Sequence, residues 1–129
     1  MEPVMRRRGF TLIELLVVMS IVALLASIVA PRYFNSLQRG REVALRQTLA
    51  TVRDAIDQFA ADKGRYPDSL DELVSARYLR QWPEDPVSGQ REGWQFQAPP
   101  ADAGVSGALY DLHSGAPGAA MDGTAYADW

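Results

Sequence analysis

The chain has no cysteine and only one histidine in 129 residues. The first absence excludes disulfides, a thiol nucleophile and thiolate metal sites. The second leaves His113 beside Asp111, with no spacing that supplies the nucleophile and orienting partner a hydrolase needs. Catalysis is therefore not expected. Glycine is missing between Gly9 and Gly40, and charge is nearly missing from residues 10–30, where Glu14 is the single ionisable side chain. Basic residues are scarce beyond Gly64, where only Arg65, Arg77, Arg80 and Arg91 occur. The first nine residues carry three arginines and one glutamate, a net +2, which leaves −5 of the total −3 on the remainder. An acidic remainder with scattered arginines is a poor electrostatic footprint for DNA or RNA, so no nucleic-acid partner is expected.

What is present is a boundary between charge and its absence. Arg6, Arg7 and Arg8 precede Gly9, and an apolar run of 21 residues (10–30) follows it, broken only by Thr11, Glu14, Ser20 and Ser27. As a helix that run would span about 32 Å, close to the roughly 30 Å of a bilayer core. It exceeds the roughly 7–15 apolar residues of a secretory signal core, and no small-x-small cleavage site follows before Pro31. The reading is a membrane anchor, with the arginines cytoplasmic and the rest of the chain emerging on the far side. Glu14 is anomalous there, because a carboxylate inside a membrane helix is costly and marks function by default. A cut after Gly9 would explain it. Phe10 would gain a protonated amine four residues before Glu14, giving the carboxylate a partner in its own chain or a neighbouring one. The cut would also remove three cations, each costing about 2.5–3.5 kcal/mol at the bilayer centre.

The stretch Arg8-Gly9-Phe10-Thr11-Leu12-Ile13-Glu14-Leu15-Leu16-Val17-Val18 resembles the class III signal of type IV pilins and of the pseudopilins of type II secretion. The resemblance implies that a prepilin peptidase cuts between Gly9 and Phe10 and methylates the new amine. It also implies that Glu14 guides docking of subunits into a helical filament.

Beyond the run the pattern changes. Pro31 removes one helical hydrogen bond and is expected to kink the helix or open it locally, with Ser20 and Ser27 as helpers. Leu45, Leu49, Val52, Ile56 and Phe59 then recur at the spacing of one helix face, with Arg46, Arg53, Asp54 and Asp57 off it. Lys63 and Gly64 read as the stop. The anchor and the amphipathic part thus form one helix from Phe10 to about Lys63, of which a small domain could cover only half. The rest must meet lipid or other subunits. Arg65-Tyr66-Pro67-Asp68 reads as a turn, and Ser69 with Glu72 as a capping box opening a short helix to about Ala76, with Leu70, Leu73 and Val74 inward. The stretch 82–89 holds too many breakers for a regular element. Residues 94–97 and 109–113 read as two strands joined by a long turn, with Tyr110 and Leu112 on one face. Residues 114–129 are Gly/Ala-rich and acidic, with Tyr126 and Trp129 as anchors for the loop.

Tyr66-Pro67, the leucines 70 and 73, Tyr78-Leu79 and Asp85-Pro86-Val87-Ser88-Gly89 sharpen the resemblance toward the major pseudopilin. The expected fold is α+β and pilin-like. A long N-terminal helix, half transmembrane and half amphipathic, packs on a small C-terminal antiparallel sheet. The expected divisions are a cleaved cytoplasmic leader (1–9), a transmembrane and assembly helix (10–30), an amphipathic helix (31–64) and a periplasmic globular part (65–129). Asp111, Ser114, Asp122 and Asp128 offer hard oxygen ligands in a glycine-rich segment, as calcium requires. The resemblance implies a C-terminal calcium loop fitted by Asp111, Ser114, Gly115 and Asp122. Ala116-Pro117-Gly118 departs from it where a further aspartate is expected. The implied partners are other copies of the chain in a helical homopolymer, the prepilin peptidase, minor pseudopilins and the inner-membrane secretion platform. The expected place is the bacterial inner membrane, single-pass, with the C-terminal part in the periplasm. Two other readings stay open: a type IV pilin for adhesion, motility or DNA uptake, and a membrane-tethered periplasmic binding module.

Overall fold

The computed structural model describes Pro3 and residues 9–129. Arg6, Arg7 and Arg8, on which the orientation rests, lie outside the described residues. Helix α1 covers Leu12–Lys63 and contributes to two compact units, Met1–Leu37 and Gln38–Trp129.

In the first unit α1 starts at Leu12, two residues later than the sequence reading placed it. The cause is Thr11. Its carbonyl accepts the Leu15 N–H at 3.1 Å, and its hydroxyl accepts the Glu14 N–H at 3.2 Å. Thr11 is therefore the N-cap, satisfying a first-turn donor that has no partner within the helix. In the uncut chain Phe10 precedes the cap and lies outside the helical turn that holds Glu14. The helix continues through Pro31, whose ring nitrogen cannot donate to the Ser27 carbonyl. Ser20 and Ser27 turn their hydroxyls onto the Leu16 and Leu24 carbonyls, both at 2.7 Å.

In the second unit the same helix supplies one wall of a core. Leu45, Leu49, Val52, Ile56 and Phe59 are all at most 2% exposed and pack with Leu70, Leu73, Trp94, Leu109, Leu112 and Tyr126. Fully burying a side chain of this size contributes about 1.5–3 kcal/mol, so the stripe and the residues it packs against together form the unit's main stabilising core. The helix ends as its sequence requires. Gly64 takes φ 70° and returns its N–H to the Ala60 carbonyl at 2.9 Å, a left-handed cap that a side chain would strain. Helix α2 covers Leu70–Ser75 with Ser69 as N-cap. Leu70 and Leu73 face the core, and Val74 is half-buried.

Strands β1 (Gln95–Gln97) and β2 (Asp111–His113) form a two-stranded antiparallel sheet with Phe96 opposite Leu112. Both are shorter than the alternation implied. Leu112 is buried, whereas Tyr110 is exposed and lies edge-on to Tyr66 with ring centroids 5.1 Å apart. The period of two fails before Asp111 because the Ala108 and Leu109 N–H groups both turn to the Pro67 carbonyl, at 3.2 and 2.8 Å. Leu109 is thereby drawn into the core and Tyr110 is left outside. The chain closes with a bridge between Ala119 and Ala125 and a 3-10 turn at Tyr126–Asp128.

Candidate functional site

The N-terminal segment is built from a residue the fold does not need. Gly9 is exposed, and a Cβ added there would meet nothing within 4 Å. Among the described residues no packing contact demands glycine at this position. Phe10 follows at 89% exposure. Glu14 lies in the first turn of α1, where the helix N-terminus favours a negative charge. Among the described residues its carboxylate takes no hydrogen bond or ion pair. Every large apolar side chain from 12 to 29 is at least 51% exposed. Among the described residues α1 is the one helix long and apolar enough to cross a membrane.

The candidate metal residues are placed differently from their expected role. Asp111 Oδ1 accepts Arg53 Nε and the Leu112 N–H, each at 2.8 Å. Ser114 is fully buried. Its hydroxyl donates to Asp85 Oδ2 and accepts the Ala116 N–H at 3.1 Å. Asp122 accepts the Thr124 hydroxyl and its N–H, and lies 3.6 Å from Arg46. The Thr124 hydroxyl, its amide and Arg46 together hold the Asp122 carboxyl below the usual carboxylate range. Three residues expected to share a cation are each committed to a separate protein partner. Among the described residues no group of three or more His, Cys, Asp or Glu is arranged to hold a metal. The donor set does not fit the six to eight oxygen ligands that calcium takes. His113 is likewise a packing residue, bonded to the Trp129 oxygen and the Gln97 amide oxygen, both at 3.2 Å.

Three polar residues to which the sequence assigned no holding role tie this region together. Arg53 donates to Asp111 and to the backbone oxygens of Leu112 and Trp129. Glu42, on the same helix, accepts the Met121 N–H and the Tyr126 hydroxyl, both at 2.9 Å. Burial, with a further contribution from that Glu42 bond, pushes the Tyr126 phenol up. Asp85, 2% exposed, accepts the Val87 and Ser88 N–H groups and the Ser114 hydroxyl, so the 82–89 stretch is an ordered loop built around one carboxylate. A signal for Asp85 was available, since Asp before a Pro-x-Ser-Gly turn favours side-chain bonds to following amides. None existed for Arg53 or Glu42.

The prokaryotic N-terminal methylation motif matches residues 4–30. The type II secretion system core protein G of Klebsiella pneumoniae is 33% identical over 97 residues, which cover 63% of this chain and 69% of that protein. The chain belongs to the type II secretion system core protein G family. The Escherichia coli core protein G is 28% identical over 132 residues, covering 90% of this chain and 86% of the relative. The Myxococcus xanthus type IV major pilin protein PilA is 32% identical over 103 residues, covering 80% of this chain but 43% of the pilin. The chain thus spans less than half the length of that pilin and about two-thirds of the Klebsiella pneumoniae protein. No solved structure gives a match. The core protein G family lies within the type IV pilin-like superfamily. The long N-terminal helix with a small antiparallel sheet is the α+β, pilin-like arrangement expected from the sequence.

Proposed function

We propose that the chain is a structural subunit of the type II secretion pseudopilus. It is anchored in the inner membrane by the apolar half of α1, with the Gln38–Trp129 unit in the periplasm, and it polymerises through that helix to drive export of folded proteins across the outer membrane. The observation that carries this reading is the exposure of every large apolar side chain from 12 to 29 in a helix whose later turns bury one apolar face in a core. Such a surface calls for lipid in one state and neighbouring copies in another.

Processing follows the same logic. The prepilin peptidase cuts after Gly9, and the fold's indifference to that glycine supports a residue type chosen for an enzyme's site. The freed Phe10 amine lies next to the Thr11 cap, four residues before Glu14 in sequence. In the filament the Glu14 carboxylate pairs with such an amine of an adjacent copy, which offsets the cost of burying it. Pro31 marks where the helix, one hydrogen bond short, loosens on assembly. Tyr33 and Phe34, both exposed just beyond Arg32, fit the aromatic belt of a membrane boundary. Minor pseudopilins and the inner-membrane platform are the further partners, and the role involves no bond-making step.

A second reading keeps the filament and changes its task. The pilin match supports a type IV pilin subunit. Deleting the gene and scoring secreted enzyme activities together with surface pili and twitching separates the two. Lost export with normal pili is the expected result. Normal export with lost pili would overturn the secretion role and leave the pilin reading.

A further inference from the structure

The C-terminal segment carries the oxygen-rich residues for which calcium is implied, yet their geometry does not suit a metal. Asp111 faces a guanidinium, Ser114 is sealed inside the core, and Asp122 caps its own turn. Gly115, part of the implied calcium pattern, has a packing role instead. A Cβ there would lie 1.8 Å from the Gly93 carbonyl oxygen, so the residue type is fixed by a close backbone approach. What does converge on the segment is a cation of the chain itself.

We propose that Arg53 is the built-in cation that closes the C-terminal segment in this chain, replacing a calcium ion and making the closure independent of metal. Its planar fork reaches three oxygens from two separate stretches of the chain, the β2 strand and the last residue: Asp111 Oδ1 at 2.8 Å, the Leu112 carbonyl at 3.1 Å and the Trp129 backbone oxygen. A guanidinium presents five donors in fixed directions, which suits one side-chain carboxylate and two backbone oxygens. The charge is permanent, so the closure does not vary with ion supply. A second arginine reinforces it. Arg46, on the same helix, lies over the Trp129 ring at 4.2 Å and beside Asp122. A divalent ion entering here would have to displace one guanidinium from Asp111 and approach a second at Asp122. Glu42 completes the attachment through Met121 and Tyr126 without any counter-cation among the described residues.

The test uses the full chain in detergent micelles, heated while tryptophan emission is followed, with calcium at millimolar level or with a chelator. The expected midpoint is the same in both. A midpoint that rises with calcium or falls with chelator overturns the proposal. Arg53→Met should lower the midpoint and speed proteolytic cutting within residues 114–129, and Arg53→Lys should restore only part, since one ammonium cannot fork across three acceptors. Wild-type protection of that segment in Arg53→Met would also overturn it. If Arg53→Met does not fold, Asp111→Asn, which keeps an acceptor for the Leu112 N–H, takes its place with the same two outcomes.

Discussion

The two halves of α1 use the same side chains and treat them in opposite ways. Leu12, Leu16 and Val22 are more than half exposed, while Leu45, Leu49 and Val52 are at most 2% exposed. The apolar residue types are shared; charge and its spacing separate the halves. In the later half the apolar residues recur every three or four positions and leave Arg46, Asp54 and Asp57 outward, so one face meets one core. In the earlier half they are continuous, and no single core could cover a helix that is apolar all round. The later half is therefore stabilised within the chain. The earlier half takes its stability from whatever surrounds it, lipid or other copies.

That contrast breaks most visibly at Glu14. Glu14→Ala should abolish filaments assembled in cells while leaving the melting of the Gln38–Trp129 unit unchanged. All three tryptophans, Trp82, Trp94 and Trp129, lie in that unit, so their emission reports on it alone. A shifted midpoint would mean the halves are coupled, and normal filaments would remove the assembly role. The reverse experiment is Phe59→Ala. Phe59 is 1% exposed, lies edge-on to Tyr78 and is covered by Arg65. Truncation should destabilise the unit by about 3–5 kcal/mol in denaturant titration, with membrane insertion unaffected. Asp85→Ala comes next. It leaves the Val87 N–H, the Ser88 N–H and the buried Ser114 hydroxyl without their acceptor, and hydrogen bonds to a charged group are worth about 1.5–3 kcal/mol. The loss should appear in the same titration, and a loss as small as that of a surface substitution would contradict the ordered-loop reading.

Sequence alone gave the two halves of α1, the Gly64 stop, the Ser69 cap and the position of the sheet, because each rests on contacts between near neighbours or on a simple period. It failed where the contact is remote. Arg53 reads as a solvated residue on a helix face, yet its partners lie 58, 59 and 76 positions away. Glu42 finds Met121 and Tyr126 at separations of 79 and 84. No local pattern encodes such pairs. The calcium expectation meets the same limit: oxygen-bearing side chains were countable in the sequence, but not which of them take hydrogen bonds within the chain. The start of α1 is a different case. Thr11 and Glu14 form the Thr-x-x-Glu signature of an N-cap, but the apolar run begins earlier, at Phe10, and hydrophobic continuity outweighed the cap in placing the boundary.

Acid should act on the packed half. The Arg65 bond, and next the Asp68 amide, hold the Glu72 carboxyl below the usual carboxylate range, and Thr124 does the same for Asp122. A depressed folded value contributes stability that is fully present above the unfolded value, around pH 4, and is lost as pH falls through the folded one. The midpoint of tryptophan melting should therefore fall as pH drops below about 4.5. Arg65→Met and Thr124→Val should each flatten that fall while lowering the midpoint slightly at neutral pH. Equal slopes in the variants and the parent would remove these groups as the cause.

The smallest effect tests where the packed half begins. Gly40 lies inside α1 in the Gln38–Trp129 unit, is exposed, and has ordinary helical φ; a Cβ there would meet nothing within 4 Å. Nothing in the subunit requires glycine, and glycine in a helix interior costs about 1 kcal/mol relative to alanine. Gly40→Ala should therefore raise the stability of the isolated, micelle-bound chain by up to about that amount. Filament yield gives the second reading. If it is unchanged, Gly40 is a tolerated defect at the start of the packed half. If Gly40→Ala stabilises the subunit but lowers filament yield, the glycine serves the assembled state, where a neighbouring backbone or a local bend would use the missing side chain. A loss of stability in the monomer would show instead that the helix around Gly40 is not in the conformation described.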